Sequence, residues 1–180
     1  SMPKLGKKAR IQFLLCALEN TADSAKLMLW HGSNQNKKRM KMMMVCPTEN
    51  DLMKVMEKQP WLCAWGYANR FSFKYYKPSK TDLKQERESL KRQVRGFQLA
   101  CKFLSLCKIQ KKINTRIGSS YSLQRGPVKK WAGGEYIGNG GFAAAVIHLG
   151  IPFRSYDDSP NIHIAISSRS PLLRCAVIGA

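Results

Sequence analysis

Acidic residues are scarce in this chain. Of its 180 residues, 11 are Asp or Glu against 31 Lys or Arg, a formal charge of +20, and residues 89–134 contain no acid at all. Long apolar runs are missing as well. None reaches the roughly 18 residues that span a bilayer, so no transmembrane helix is expected. None of the cysteines at 16, 46, 63, 101, 107 and 175 forms a C-x-x-C pair, and His31, His148 and His163 are scattered, so no zinc clamp is expected. No apolar leader precedes the first charged cluster. Cysteines without a compact framework then imply reduced thiols, and an intracellular setting in cytoplasm or nucleus. Internal repeats and low-complexity tracts are absent, as are helix-turn-helix, zinc-finger and basic-zipper signatures. No constellation names a reaction, so no catalytic residue, metal or cofactor is expected.

The apolar fraction is 44%. That excludes a disordered polycation, whose low hydrophobicity cannot offset the entropy of folding. The length suits one domain: a basic arm over 1–10 carrying Lys4, Lys7, Lys8 and Arg10, then a single globular unit over 11–180. The unit is basic to about residue 130 and neutral and apolar from 131 to 180, where three cations meet three anions. The acid-free block carries Lys91, Arg92, Arg95, Lys102, Lys108, Lys111, Lys112, Arg116, Arg125, Lys129 and Lys130. Such a block repels itself and marks an interaction surface more readily than a solubilising one.

Periodicity predicts an α+β fold: a mainly antiparallel sheet, one long basic amphipathic helix and one or two shorter helices. Residues 11–18 suit a short helix or a buried strand. Residues 26–30 and 39–45 read as a hairpin around a polar connection, with Met40, Met42 and Met44 on one face. Thr48-Glu-Asn-Asp51 reads as a capping box opening a helix with Leu52, Val55 and Met56 inside, stopped by Pro60. Phe71, Phe73 and Tyr75 alternate like a half-buried strand. Leu83, Leu90, Phe97 and Leu104 recur every seven residues and predict a helix over 80–108 whose stripe packs on the protein's own sheet, with Arg87, Lys91, Arg95 and Lys102 turned away. The same spacing suits self-association into a homo-oligomer. Residues 108–125 read as a loop or a short helix followed by a loop, ending in Gly118-Ser-Ser and Gln124-Arg-Gly-Pro127. Asn139 is expected to cap a helix over 141–149 that Gly150 ends. Residues 161–166 and 172–178 read as strands.

One glycine pattern bears on chemistry. Gly138, Gly140, Gly141 and Ala143 give a G-x-G-x-x-A run before a helix, with Asp157 and Asp158 about twenty residues later. In a dinucleotide site such amides reach a pyrophosphate. The apolar strand that precedes such a fingerprint is missing here, and a tight turn allowing close helix packing explains the glycines equally. Tyr136-Ile-Gly138 also resembles one half of the GIY-YIG nuclease motif, without the other half upstream. Leu29-Trp-His-Gly-Ser33 resembles the His-Gly-Ser/Thr strand of ADP-ribosyltransferases, without their Gly-rich tyrosine strand or late Glu.

Charge then directs the functional expectation. The leading reading is a non-enzymatic nucleic-acid-binding protein whose eleven block cations contact phosphates of RNA or another single strand, with Phe73 and Tyr76 as stacking candidates. Size, arm and charge suit a small viral or chromatin-associated protein. A second reading is a viral matrix-like peripheral protein whose arm and block meet anionic lipid. A third is an enzyme or binding module for a phosphate-containing ligand at Gly138–Ala143.

Overall fold

A computed structural model describes residues 46–67, 80–156 and 159–173. The basic arm, the 11–18 element, the 26–45 hairpin with its Met face, Phe73 and Tyr76, Asp157 and Asp158, and the 174–178 end of the last expected strand lie outside the described residues.

Helix α1 (Glu49–Lys58) starts where local chemistry predicts. Thr48 Oγ1 accepts the Asp51 amide at 3.3 Å, and Asp51 Oδ2 accepts the Thr48 amide at 2.9 Å. Two orphan donors of the first turn are thereby satisfied. Leu52, Val55 and Met56 are buried, and Gln59 closes the helix before Pro60. The hydrogen bond from the Thr48 backbone holds the Asp51 carboxyl below its ordinary 3.8. Its stabilising share is therefore complete above that value and is lost as pH falls through the lowered one. Asp51→Asn is expected to cost about 0.5–1 kcal/mol at neutral pH. That difference should vanish in strong acid. Urea melts of both proteins across pH 2–7 measure it, and curves that stay parallel would show that the carboxylate charge contributes nothing to the cap.

The heptad stretch is two helices rather than one: α2 (Lys80–Lys91) and α3 (Val94–Leu106). No Gly or Pro stands at the break. Arg92 and Gln93 donate to Ser89 and Leu90, three residues back, and Gln93 takes φ −90, ψ 24. The Gln93 side chain accepts the Gly141 amide at 3.0 Å, a partner far along the chain, so the interruption comes from tertiary packing. The stripe continues across it: Leu90, Phe97 and Leu104 are fully buried. It faces the protein's own core, mainly other helices rather than a sheet.

Arg87 departs from the sequence expectation. It turns inward and donates to the carbonyls of Met56, Gln59, Pro60 and Leu62 at 2.7–2.9 Å. The charge so placed closes the negative end of α1 and ties it to the hairpin β1 (Leu62–Cys63) and β2 (Gly66–Tyr67), which pair as Leu62↔Tyr67 and Cys63↔Gly66.

Beyond α3, the segment predicted as a loop, or a short helix followed by a loop, reverses the second order: the loop comes first and the chain is helical over 120–131, as α4 (Ser120–Leu123), a π-helical turn (Gln124–Val128) and α5 (Lys129–Trp131). Proline lacks the amide that an α-turn requires, and the wider π-turn accommodates it without ending the helix. Helix α6 (Asn139–His148) lies at the centre of the core formed by the described residues. Every residue from Gly140 to Val146 is buried, as befits a helix apolar on all sides. It packs on α1, α3, both strands of the hairpin and β4. Gly138, not Asn139, is its N-cap. Asn139 instead donates Nδ2 to Trp65 O and to Asn161 Oδ1. Gly150, at φ 62, ends the last turn.

Strands β3 (Phe153–Tyr156) and β4 (Ser159–Ile164) pair antiparallel, Phe153↔Ile164 through Ser155↔Ile162. The fold is thus α+β, with two small antiparallel sheets among the described residues. Along the chain from Lys108, the loop is pinned beside β4 by the bridges Ile109↔Ile166 and Ser119↔His163 and by the Asn114 amide on Ile164 O. Residues 171–173 form a helical turn where a strand was expected to begin.

Candidate nucleic-acid interface

The eleven cations of the acid-free block fall on three supports. Lys91, Arg92, Arg95 and Lys102 ride on α2, the turn after it and α3. Lys108, Lys111, Lys112 and Arg116 ride on the loop held beside β4. Arg125, Lys129 and Lys130 ride on the helical run 120–131. All are exposed except Lys91, which is half-buried.

Two of the eleven meet an acid among the described residues. Lys91 contacts Glu88 at 2.7 Å, and that hydrogen bond holds the Glu88 carboxyl below its ordinary range. Arg95 grips Glu135 with Nε and Nη2 at 3.1 and 2.8 Å. The pair lowers the Glu135 carboxyl and raises the Arg95 guanidinium. The other nine form no ion pair among the described residues, and their charge faces water. Arg92 donates to the Ser89 hydroxyl at 3.0 Å.

Aromatic faces accompany these cations where sequence reading did not place them. Arg125 stacks over the Tyr121 ring at 4.6 Å, one helical turn away, and Tyr121 is 45% exposed. Lys102 lies 6.0 Å from the Trp131 ring, at the edge of cation–π range. Trp131 in turn meets Phe103 edge-on at 5.7 Å. Lys102 and Trp131 thus meet between α3 and α5. The signal for Tyr121 was present in the sequence as an aromatic with arginine four residues on, inside the acid-free block.

A further cation comes from outside the acid-free block. Arg169 is exposed on the turn after β4. That turn folds against Lys108: the Ser167 amide donates to Lys108 O at 2.8 Å, and the Ser170 hydroxyl accepts the Lys108 amide at 2.9 Å. Its charge joins the loop group although its segment is neutral overall.

The glycine-rich start of α6 has its amides engaged within the chain. Gly140 donates to Ala64 O, Gly141 to Gln93 Oε1 and Phe142 to Gly138 O, each at 3.0 Å. A Cβ on Gly140 would collide with Cys63 O and Ala64, so the absent side chain is what lets the hairpin lie on the helix. The glycines pack the core, and no open cradle of amides faces outward.

Burial pushes the thiols of Cys63 and Cys101 up, away from reactivity. His148 stands edge-on to Phe97 at 5.5 Å, and His163 to Tyr156 at 4.9 Å. Among the described residues no three His, Cys, Asp or Glu are placed to hold a metal ion, and no helix is long and apolar enough to cross a membrane. Compared with known proteins, the chain matches no family model, no curated protein and no solved structure.

Proposed function

We propose that this chain is a non-enzymatic protein that binds RNA or another single-stranded nucleic acid through phosphate contacts. The observation that carries the reading is the set of exposed cations over residues 89–134: nine with no acid partner among the described residues, with an aromatic ring under one of them, Arg125. Unpaired cations attract a polyanion over the whole surface, and binding releases its condensed counterions. Aromatic faces add stacking that any base can use.

The test is the affinity of the full chain for a short single strand across a salt series. Each bound phosphate on a single strand contributes about 0.7 to the log–log slope. Engagement of six of the nine cations gives a slope near −4, a loss of roughly 250-fold between 50 and 200 mM salt. A slope near zero, or flotation with anionic vesicles without any strand binding, would overturn the reading in favour of another partner.

A further inference from the structure

Where the acid-free block ends, the chain sets the most exposed large hydrophobic side chain among the described residues beside a bidentate ion pair. Tyr136 is 84% exposed, and Glu135 next to it is held by Arg95. Both members of that pair face water, at 69% and 45% side-chain exposure. The guanidinium fork that grips a carboxylate at two points grips a phosphate in the same way. On the other side of Tyr136, Ile137 is buried, and its Cα backs onto Gly96 of α3. The tyrosine is therefore fixed between two anchors and presented outward. Gly133 and Gly134, at φ 67 and 93, turn the chain toward this point from α5. Tyr136 gains nothing for the core from this position, because its ring forgoes the burial that stabilises an aromatic side chain.

Resting on the nucleic-acid reading above, we infer that Tyr136 is a stacking platform for an unpaired base, and that a phosphate of the same strand takes the place of Glu135 on Arg95. The site accepts single strands and not duplex, since paired bases already cover one another's faces. Glu135 is an internal competitor. It neutralises Arg95 in the free protein and gives way when the strand binds.

The experiment compares the full chain with Tyr136→Ala, Tyr136→Phe, Tyr136→Leu and Glu135→Gln. Each is titrated with a twelve-nucleotide single strand and with the matching blunt duplex across a salt series. Tyr136→Ala and Tyr136→Leu are expected to bind the single strand about tenfold more weakly with an unchanged salt slope, and to bind duplex as the parent does. Tyr136→Phe keeps the parent affinity because it keeps the ring. Glu135→Gln is expected to bind the strand about two- to fivefold more tightly, the span of an exposed ion pair, with a slope steeper by about 0.7. A Tyr136→Ala protein that binds the strand as tightly as the parent would overturn the stacking site and leave the nucleic-acid reading standing. Equal losses for strand and duplex would do the same. Weaker binding by Glu135→Gln would overturn the exchange on Arg95. A parent that binds neither nucleic acid would overturn both the site and the reading it rests on. A loss confined to anionic phosphatidylserine vesicles would give Tyr136 to a membrane and overturn the inference.

Discussion

Replacing Arg87 by alanine is expected to destabilise the chain by about 2–4 kcal/mol. One guanidinium donates to four carbonyls: Met56 at 2.7 Å through Nη2, and Gln59, Pro60 and Leu62 at 2.9, 2.9 and 2.8 Å through Nη1. These are the carbonyls where α1 ends and the hairpin begins. Alanine leaves the Met56 and Gln59 carbonyls with only the backbone amides of Gln59 and Leu62, at 3.3 and 3.1 Å, removes the guanidinium from Pro60 and Leu62 as well, and of the four residues only Pro60 is exposed to water that could replace it. It also removes the positive charge from the negative end of the helix. Lysine is not a replacement, because a compact ammonium cannot span four acceptors as a planar fork does. Arg87→Lys should therefore recover less than half of the loss. For a chain of this size each 1 kcal/mol moves the melting point by about 2–4 °C, so the alanine variant should melt roughly 5–15 °C early. Thermal and urea melts of parent, alanine and lysine variants measure this. Coincident curves for parent and alanine would show that water replaces the guanidinium at no cost.

Changing Lys111, Lys112 and Arg116 together to alanine is expected to leave folding intact and to flatten the salt dependence of single-strand affinity by about two units. All three side chains are exposed, and none forms an ion pair among the described residues. The loop that carries them is held by other atoms: the Asn114 amide on Ile164 O, Asn114 Nδ2 on Ile166 O and Gln110 Nε2 on Lys112 O. Exposed substitutions of this kind each stay within about 0.5 kcal/mol. If the two affinity lines converge near 1 M salt, a slope difference of two units is about a hundredfold in affinity at 0.1 M. The loss should be uniform across base sequences, since phosphates carry none of the sequence. An unchanged slope with an unchanged melting point would remove the loop from the binding surface. A collapsed melting point would show instead that these cations hold the fold together.

The parts of the fold legible in the sequence are those whose physics is local. The capping box at Thr48 and Asp51 needs only four consecutive residues. The buried stripe Leu90, Phe97 and Leu104 follows from helical period, and the stop at Gly150 from glycine's tolerance of positive φ. The break between α2 and α3 left no local trace, because its cause is the Gly141 amide on Gln93. Strand β3 was missed because Phe-Arg-Ser-Tyr is short and only half-buried, so its pairing with β4 defines it. At the candidate interface the cations themselves were legible. Of their aromatic companions, Tyr121 left a trace as an aromatic four residues before Arg125, whereas the exposure of Tyr136 depends on how Glu135 and Ile137 on either side of it are held.

Composition alone already specified a folded, strongly basic chain and the stretch that carries its excess charge, since charge and apolar content are sums over residues that no packing alters. Which cations remain available is a different kind of quantity. Arg87 is drawn inward by carbonyls 25 to 31 residues away, Arg95 is neutralised by an acid 40 residues on, and Lys108 is fastened through its backbone to a serine 62 residues on. A charge is read from one residue, whereas its partner is set by how distant segments close on a common core, and that closure distinguishes the cations that hold this protein together from those it presents to water.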